Sequence, residues 1–554
     1  MGQKSAENGR FANLLATGRT VANRGLQCAR PMPFAAENQT ASVVRRFAVR
    51  IVPLFLTICL LHLGFAVVGG PPISNAAEPL QAGVARIDIT DRTVGRVNDP
   101  CYAKALVLKQ GKTSAVLITV DAVAIGEIGR LGNDFLLKIR RQLEHSPGIP
   151  PTNVIVNASH CHGIVRSDTD QLVVQVVRDA WKALANVKVG VGSTSEHRIS
   201  ENRRLRMKDG SQVDMRRAYS LPPDDQVAAV GPIDPQVGLL RIDREDRTPL
   251  AVVYTFACHP IMNPPSKGNS ADFPGFASAL IEDSLGHGTM AFFVQGCGGD
   301  INPVKYKEVS QPADAEPLGN LLGMTVVREV KKLTPQGEGK LVVDNQILSL
   351  PRAADFRQRM AAIEAEQTQL VRSLKPTNIN FKSFVPLLIE QRLGGEFPSQ
   401  HVQSYLHEKA QGRDDLQRLD QENRAQVENY LANIYAMERL TRLNTNLALL
   451  KKHSLAAEAA AVQTIDVELC CLRVGDFKLV TFPGELTVEI GLGIKRAAKD
   501  PHAFVAGYTN GYIYYSPTVA QRQNTGYAQE DCDCIVAPEW QRLFEGAALD
   551  MLRN

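Results

Sequence analysis

The 554-residue sequence has no Cys-x-x-Cys pair, no basic patch, no internal repeat and no low-complexity tract. Beyond residue 77 it also has no apolar run long enough to span a membrane. Each absence removes a class. Without Cys-x-x-Cys there is no zinc ribbon. Without a basic patch, nucleic acid is not an expected partner. The formal net charge of +4 is itself local. Residues 1–77 hold eight Lys/Arg against two Asp/Glu, so the remainder carries 54 against 56, about −2. What is present is a chain with 44% apolar residues, enough for a globular protein with one large core or two domains.

The first 77 residues read as a leader. Arg45, Arg46 and Arg50 precede the apolar run IVPLFLTICLLHLGFAVV, residues 51–68. PPISNAA follows, with Ser74 and Ala76 at the −3 and −1 places of a cleavage site. Export through a cleaved signal is expected, to the periplasm, the medium or the cell surface, with a retained membrane anchor as the alternative. Eight cysteines lie beyond the leader. Export would permit disulfides, but no pairing can be assigned. Cys532 and Cys534 form a loop pair that could bind metal or cycle redox state, and adjacent Cys470 and Cys471 would face opposite ways in a strand.

Between about 80 and 350, short apolar runs such as SAVLITVDAV, NVIVNAS, PLAVVYTFAC and MAFFVQGC alternate with helical patterns, DFLLKIRRQLEH and TDQLVVQVVRDAWKALAN. This predicts an α/β fold with a mixed-sheet core and flanking helices over 78–350. In 351–460 the pattern turns helical. Phe356, Met360, Ile363 and Leu370 share one face, and Val427, Tyr430, Leu431, Ile434, Met437 and Leu440 share another. That stretch is expected to be a helical insertion or cap, with strands resuming in 461–554.

Five stretches carry residues with chemistry, four of them at strand ends. NASHCHGIV offers His160 and His162, which would share one face of a strand. Imidazole is the commonest protein ligand for zinc, although His-x-His alone also suits a pair of core histidines. YTFACHPIMN ends on His259, and FVQGCGGDINP presents Asp300 and Asn302 from a Gly-rich turn, where an Asp also serves as a cap. LVTFPGELTVEIG places Glu485 after a strand, where it either opens a helix or binds metal. AGYTNGYIYYSP brings Tyr508, Tyr512, Tyr514 and Tyr515 together.

In this order, the motifs SHCH, FACH, GDINP, PGE and Asn510-Gly511-Tyr512 resemble the catalytic domain of the neutral/alkaline non-lysosomal ceramidase family, bacterial type. The match spans roughly 80–350 and 461–530. The resemblance implies an amidase with Zn2+ held by His160, His259, Glu485 and Tyr512, leaving a position open for water. It implies His162 as proton shuttle. It also implies that Arg203, in ENRR, and Tyr527, in TGYAQE, contact the oxyanion or the substrate's polar head. The substrate class implied is a ceramide-like lipid amide, with peripheral membrane contact, cleaved to fatty acid and sphingoid base.

The sequence departs from the family in three ways. Asn302 stands where the best-known members carry Ser, and an amide cannot serve as nucleophile, so Asn302 is expected to orient substrate. The family's C-terminal β-sandwich is expected to be absent. Residues 351–455 have no counterpart in it. A metal hydrolase acting on a soluble amide or ester, or an inactive cell-surface binding protein, are the other readings.

Overall fold

A computed structural model describes residues 78–214, 222–263, 266–306, 308, 310–337, 339–395 and 402–553. The leader, with its signal and cleavage site, lies outside the described residues. Eight strands build the larger sheet: β1 (Gln81–Asp88), β2 (Tyr102–Gln110), β3 (Thr113–Val120), β4 (Val154–Ala158), β5 (Ala185–Ser195), β6 (Gln236–Arg244), β7 (Pro249–Phe256) and β8 (Met290–Gln295). Their order is β8-β7-β6-β5-β1-β2-β3-β4. The β7–β8 and β3–β4 pairs are parallel and the rest antiparallel, so the sheet is mixed. A second sheet, in the order given, joins β9 (Leu341–Pro351), β10 (Thr464–Val474), β11 (Phe477–Thr481) and β12 (Ala503–Ala506).

Burial of both strand faces explains the unbroken apolar runs. On β3, Ala115 and Leu117 point to the second sheet, where they meet Leu472, Phe477 and Leu479 in one cluster. Val116, Ile118 and Val120 point the other way. There α1 (Phe135–His145) and α2 (Thr169–Lys182) cover them through Ile139, Leu143, Val173 and Val177. Around β7, Val252, Tyr254 and Phe256 face α3 (Asp272–Leu285) and α4 (Ala315–Val330) in the same manner. The amphipathic pattern read through Asn186 ends as a helix at Lys182, because Ala185 already pairs with Ala82 of β1.

Between β9 and β10, which pair in register from Leu341↔Val474 to Pro351↔Thr464, lies the helical insertion. It comprises α5 (Phe356–Ser373), α6 (Phe381–Leu393), α7 (Val402–Ala410) and the 45-residue α8 (Asp415–Ala459). Phe356 and Ile363 are buried and Met360 and Leu370 pack with them, as their spacing predicts. The expected face of α8 holds only in part. Val427 is buried, but Met437 is 52% exposed. The helix changes partner along its length, which rotates the buried face. Tyr430 stacks on Phe384 of α6, ring centroids 4.4 Å apart, whereas Leu443, Leu447 and Leu450 join Phe356 and Ile363 of α5.

Helices α9 (Val488–Ala498) and α10 (Trp540–Arg553) close the outer face of the second sheet over Leu469, Cys471 and Val480. The layers therefore run helix, sheet, sheet, helix. Cys470 and Cys471 do face opposite ways, into different clusters. So do Cys532 and Cys534, which removes the expectation that they work as a pair. Among the described residues no β-sandwich follows β12, and no helix is long and apolar enough to cross a membrane.

Candidate metal centre

The carboxyl ends of β4, β7, β8, β11 and β12 all lead into one buried place. Asn157, the penultimate residue of β4, ties three of these segments together. Its Oδ1 accepts from the Gln295 N–H at 3.0 Å, and its Nδ2 donates to Gly507 O and Thr509 Oγ1, both at 2.9 Å. The edge strands β4 and β8 of the larger sheet are thereby joined. Asn510 completes the link: its N–H donates to Val156 O and its side chain accepts from Val156 N–H.

After Ala158 the chain leaves the extended conformation. The Ser159 and His160 N–H groups donate to Val120 O and Ala122 O, and His160 takes φ 65°. A positive φ at a non-glycine residue costs energy and marks a conformation held by its surroundings. His160 and His162 therefore do not share a strand face. His160 turns inward, while His162 is exposed, its ring centroid 5.7 Å from that of His160.

His160, His259 and Glu485 converge with all their ligand atoms within 4.8 Å, and each residue is buried. Nε2 of His160 lies 3.5 Å and Nε2 of His259 3.1 Å from Glu485 Oε2. The other ring nitrogens meet carbonyl oxygens. His160 Nδ1 is 2.6 Å from Val123 O, and His259 Nδ1 is 2.5 Å from Gly298 O and 3.1 Å from Ile301 O. A carbonyl only accepts, so each Nδ1 carries a proton and each Nε2 is the atom turned toward the centre. Glu485 does not open a helix. It forms a two-residue strand with Leu486, paired to Tyr515–Ser516, and α9 starts at Val488.

Three phenols surround the carboxylate and histidines. Tyr512 donates to Glu485 Oε1, Tyr508 to Glu485 Oε2 at 3.2 Å, and the Tyr515 hydroxyl is 3.4 Å from His259 Nε2. Burial, then the Arg203 charge, hold His259 neutral, down to about 3. Burial opposes ionisation of Glu485, but His160, His259 and Tyr512 outweigh it and keep its carboxyl well below the usual range. Burial, then the Glu485 charge, push the Tyr508 and Tyr512 phenols well up. Two imidazoles and a carboxylate thus turn their free ligand atoms toward one buried point, where an unpaired carboxylate would be costly. This donor set can coordinate a metal ion, and nitrogen with carboxylate ligation suits zinc.

Arg203 is fully buried and its donors are spent on the protein: Glu530 Oε1 at 2.6 Å, Asn302 Oδ1 at 3.1 Å and Gly299 O. Its guanidinium lies 5.6 Å from the Tyr515 ring centre, so it reaches the centre through that ring. Asn302 sits beside it, buried. Asp300 caps α9 by accepting from Val488 N–H at 2.8 Å, and burial pushes its carboxyl up to about 6. Tyr527 is half-buried and packs with the insertion. Arg439 of α8 stands 5.9 Å over its ring, and Asn446 of α8 donates to its carbonyl.

Sequence reasoning missed the supports. Arg203 and Arg204 face Glu530 and Asp531 in a buried ionic network, for which the adjacent charges in ENRR and AQED are the only signal. His453 of α8 bonds Asp533 Oδ1 at 2.6 Å and packs edge-on against Tyr514, whose hydroxyl donates to Glu127 at 2.9 Å. The insertion thus braces the tyrosine segment from outside.

No protein-family model matches this chain, and no curated protein sequence matches it. Solved structures do. The chain resembles neutral ceramidase from Pseudomonas aeruginosa at a TM-score of 0.52 and 16% identity, covering 86% of this chain and 74% of that one. It also resembles a structure described as ceramidase complexed with C2, at a TM-score of 0.53 and 17% identity, covering 86% and 75%. At this identity the likeness establishes a shared fold.

Proposed function

We propose that the protein is an exported zinc-dependent amidohydrolase that cleaves N-acyl amide bonds, with a ceramide-like lipid amide as the substrate class. The observation that carries this reading is the convergence of His160, His259 and Glu485, both imidazoles fixed by Nδ1–H to carbonyl contacts, in a fold shared with neutral ceramidase. His160, His259 and Glu485 hold the ion, with Tyr512 as fourth ligand; Tyr515, beside His259 Nε2, competes for that place. Bound zinc lowers the pKa of water and polarises a carbonyl.

The chain's own residues do the rest. Exposed His162, beside the centre, takes a proton from attacking water and returns it to the leaving nitrogen. Arg203 holds Asn302 and Tyr515 in place, and Asn302 orients the substrate through its amide. Tyr527, at the junction with the insertion, lines the path for the substrate's polar head.

The test is hydrolysis by the zinc-loaded chain of N-acylsphingosine and of soluble amides and esters, with released fatty acid measured by mass spectrometry. His162→Ala should abolish turnover and leave the metal bound. No hydrolysis of any substrate by chain that has bound zinc would contradict the proposal. A soluble-substrate version of the same chemistry is favoured by Asn302 and by the groove described next.

A further inference from the structure

His162 forms part of the wall of a groove of about 560 Å³ that the segment after His259 also lines, through Ile261 and Met262. Its apolar side is completed by Ile164 and Tyr306. Its polar side is unusual for a chain whose residues beyond 77 are slightly acidic overall: among the described residues no Asp or Glu lines it, and Arg96 and Lys267 do. Both are exposed, and neither forms an ion pair among the described residues. Two of the groove's other polar side chains, Asn269 and Ser266, are engaged within the protein. Asn269 accepts from Ile164 N–H and donates to Ile164 O, both at 2.7 Å, and Ser266 donates to Asn98. The nearby Asp272 is buried and accepts from Asn263 N–H at 2.6 Å, on the inner side of the wall.

The backbone segments that carry the two cations are tied together. Asn269 N–H donates to Arg96 O at 2.7 Å, and Asn98 N–H to Asn269 O at 2.8 Å, so the two loops run side by side. Gly268 permits this approach, since a Cβ there would lie 2.7 Å from Arg96 O. We infer that Arg96 and Lys267 form an anion subsite beside His162, and that the preferred substrate is an amide carrying a carboxylate or phosphate a few bonds from the scissile carbonyl. The inference rests on the amidohydrolase reading for the word substrate, but binding of such a ligand can be measured without turnover.

The experiment therefore uses ligands that cannot be cleaved, in which methylene replaces the amide nitrogen. 4-Oxododecanoic acid and 4-oxododecyl phosphate are each paired with the neutral 4-oxo-1-dodecanol, and none carries an amide bond; binding is followed by titration calorimetry on the zinc-loaded chain. The anionic member of at least one pair should bind about tenfold more tightly, because a charge-assisted contact outweighs a neutral one. The pair that shows the preference identifies carboxylate or phosphate as the group. The preference should shrink with added salt and disappear in the Arg96→Ala/Lys267→Ala variant, whose altered residues are exposed and outside the core. Equal affinity within both pairs, or a preference that survives in the double variant, would overturn the subsite. Tight, selective binding without hydrolysis of any amide would leave the subsite standing and overturn the enzyme reading alone.

Discussion

Replacing Asn157 with Ala tests how the strand ends are held together. The side chain serves three partners, but they do not lose equally. Gly507 O keeps a donor, because Thr509 Oγ1 also bonds it at 2.7 Å. The same bond leaves Thr509 engaged. Gln295 N–H has no such substitute, since its acceptor is Asn157 Oδ1. A buried N–H left without an acceptor costs about 1–3 kcal/mol, and each lost bond to a group that keeps another partner costs about 0.5–1 kcal/mol. The expected loss is thus about 2–5 kcal/mol. Asn157→Asp keeps the acceptor for Gln295 but sets a carboxylate against Gly507 O, so it should not rescue the variant. Urea unfolding of the metal-free chain, followed by circular dichroism, measures the loss as a midpoint shift. Because β4 leads directly into His160, zinc affinity should fall as well. A change below about 0.5 kcal/mol, with zinc affinity intact, would refute the view that Asn157 joins the sheet edges at the site.

Other substitutions separate ligands from supports. Arg203→Met leaves Glu530 buried beside Arg204 alone and should cost about 3–5 kcal/mol in stability, read by thermal unfolding; a neutral effect would remove Arg203 from the supporting network. Tyr512→Phe and Tyr515→Phe differ in which one loosens zinc. The ligand's loss should weaken affinity about 10–100-fold, measured by chelator competition, and equal, small effects would mean that neither phenol binds the ion. The pH dependence of the metal-free chain follows from His259. Its folded value of about 3 lies below the ordinary 6.5, so only the unfolded chain takes up a proton between them. The stability this residue contributes is complete above pH 6.5 and declines toward pH 3. The difference between the wild type and His259→Gln should shrink across that window, and a constant difference would contradict the burial argument.

The motifs were legible in the sequence because strand ends are short and local. A buried strand followed by His, Gly-Asp or Pro-Gly-Glu announces itself without tertiary information, and His160, His259 and Glu485 do meet, with the Tyr512 hydroxyl on Glu485. What the sequence hid is long-range. The His-x-His spacing suggests one shared face, but the β4 strand stops at Ala158 and the turn at His160 separates the two rings. Arg203 reads as a polar contact for substrate, yet it is buried against Glu530, 327 positions away, and no local pattern reports such a partner. The insertion reads correctly as helical from its 3.6-residue period. Its hold on Asp533 through His453 depends on how α8 lies against the core, which periodicity does not encode.

Metal content decides the central claim. Purified chain, dialysed against zinc and then against buffer, should retain about one zinc per molecule by mass spectrometry, and the His160→Ala/His259→Ala variant, still folded by circular dichroism, should retain none. Absence of zinc from the wild type, or equal zinc in both proteins, would mean that these buried histidines and Glu485 form a structural hydrogen-bonded cluster, and the hydrolase reading would fall with them.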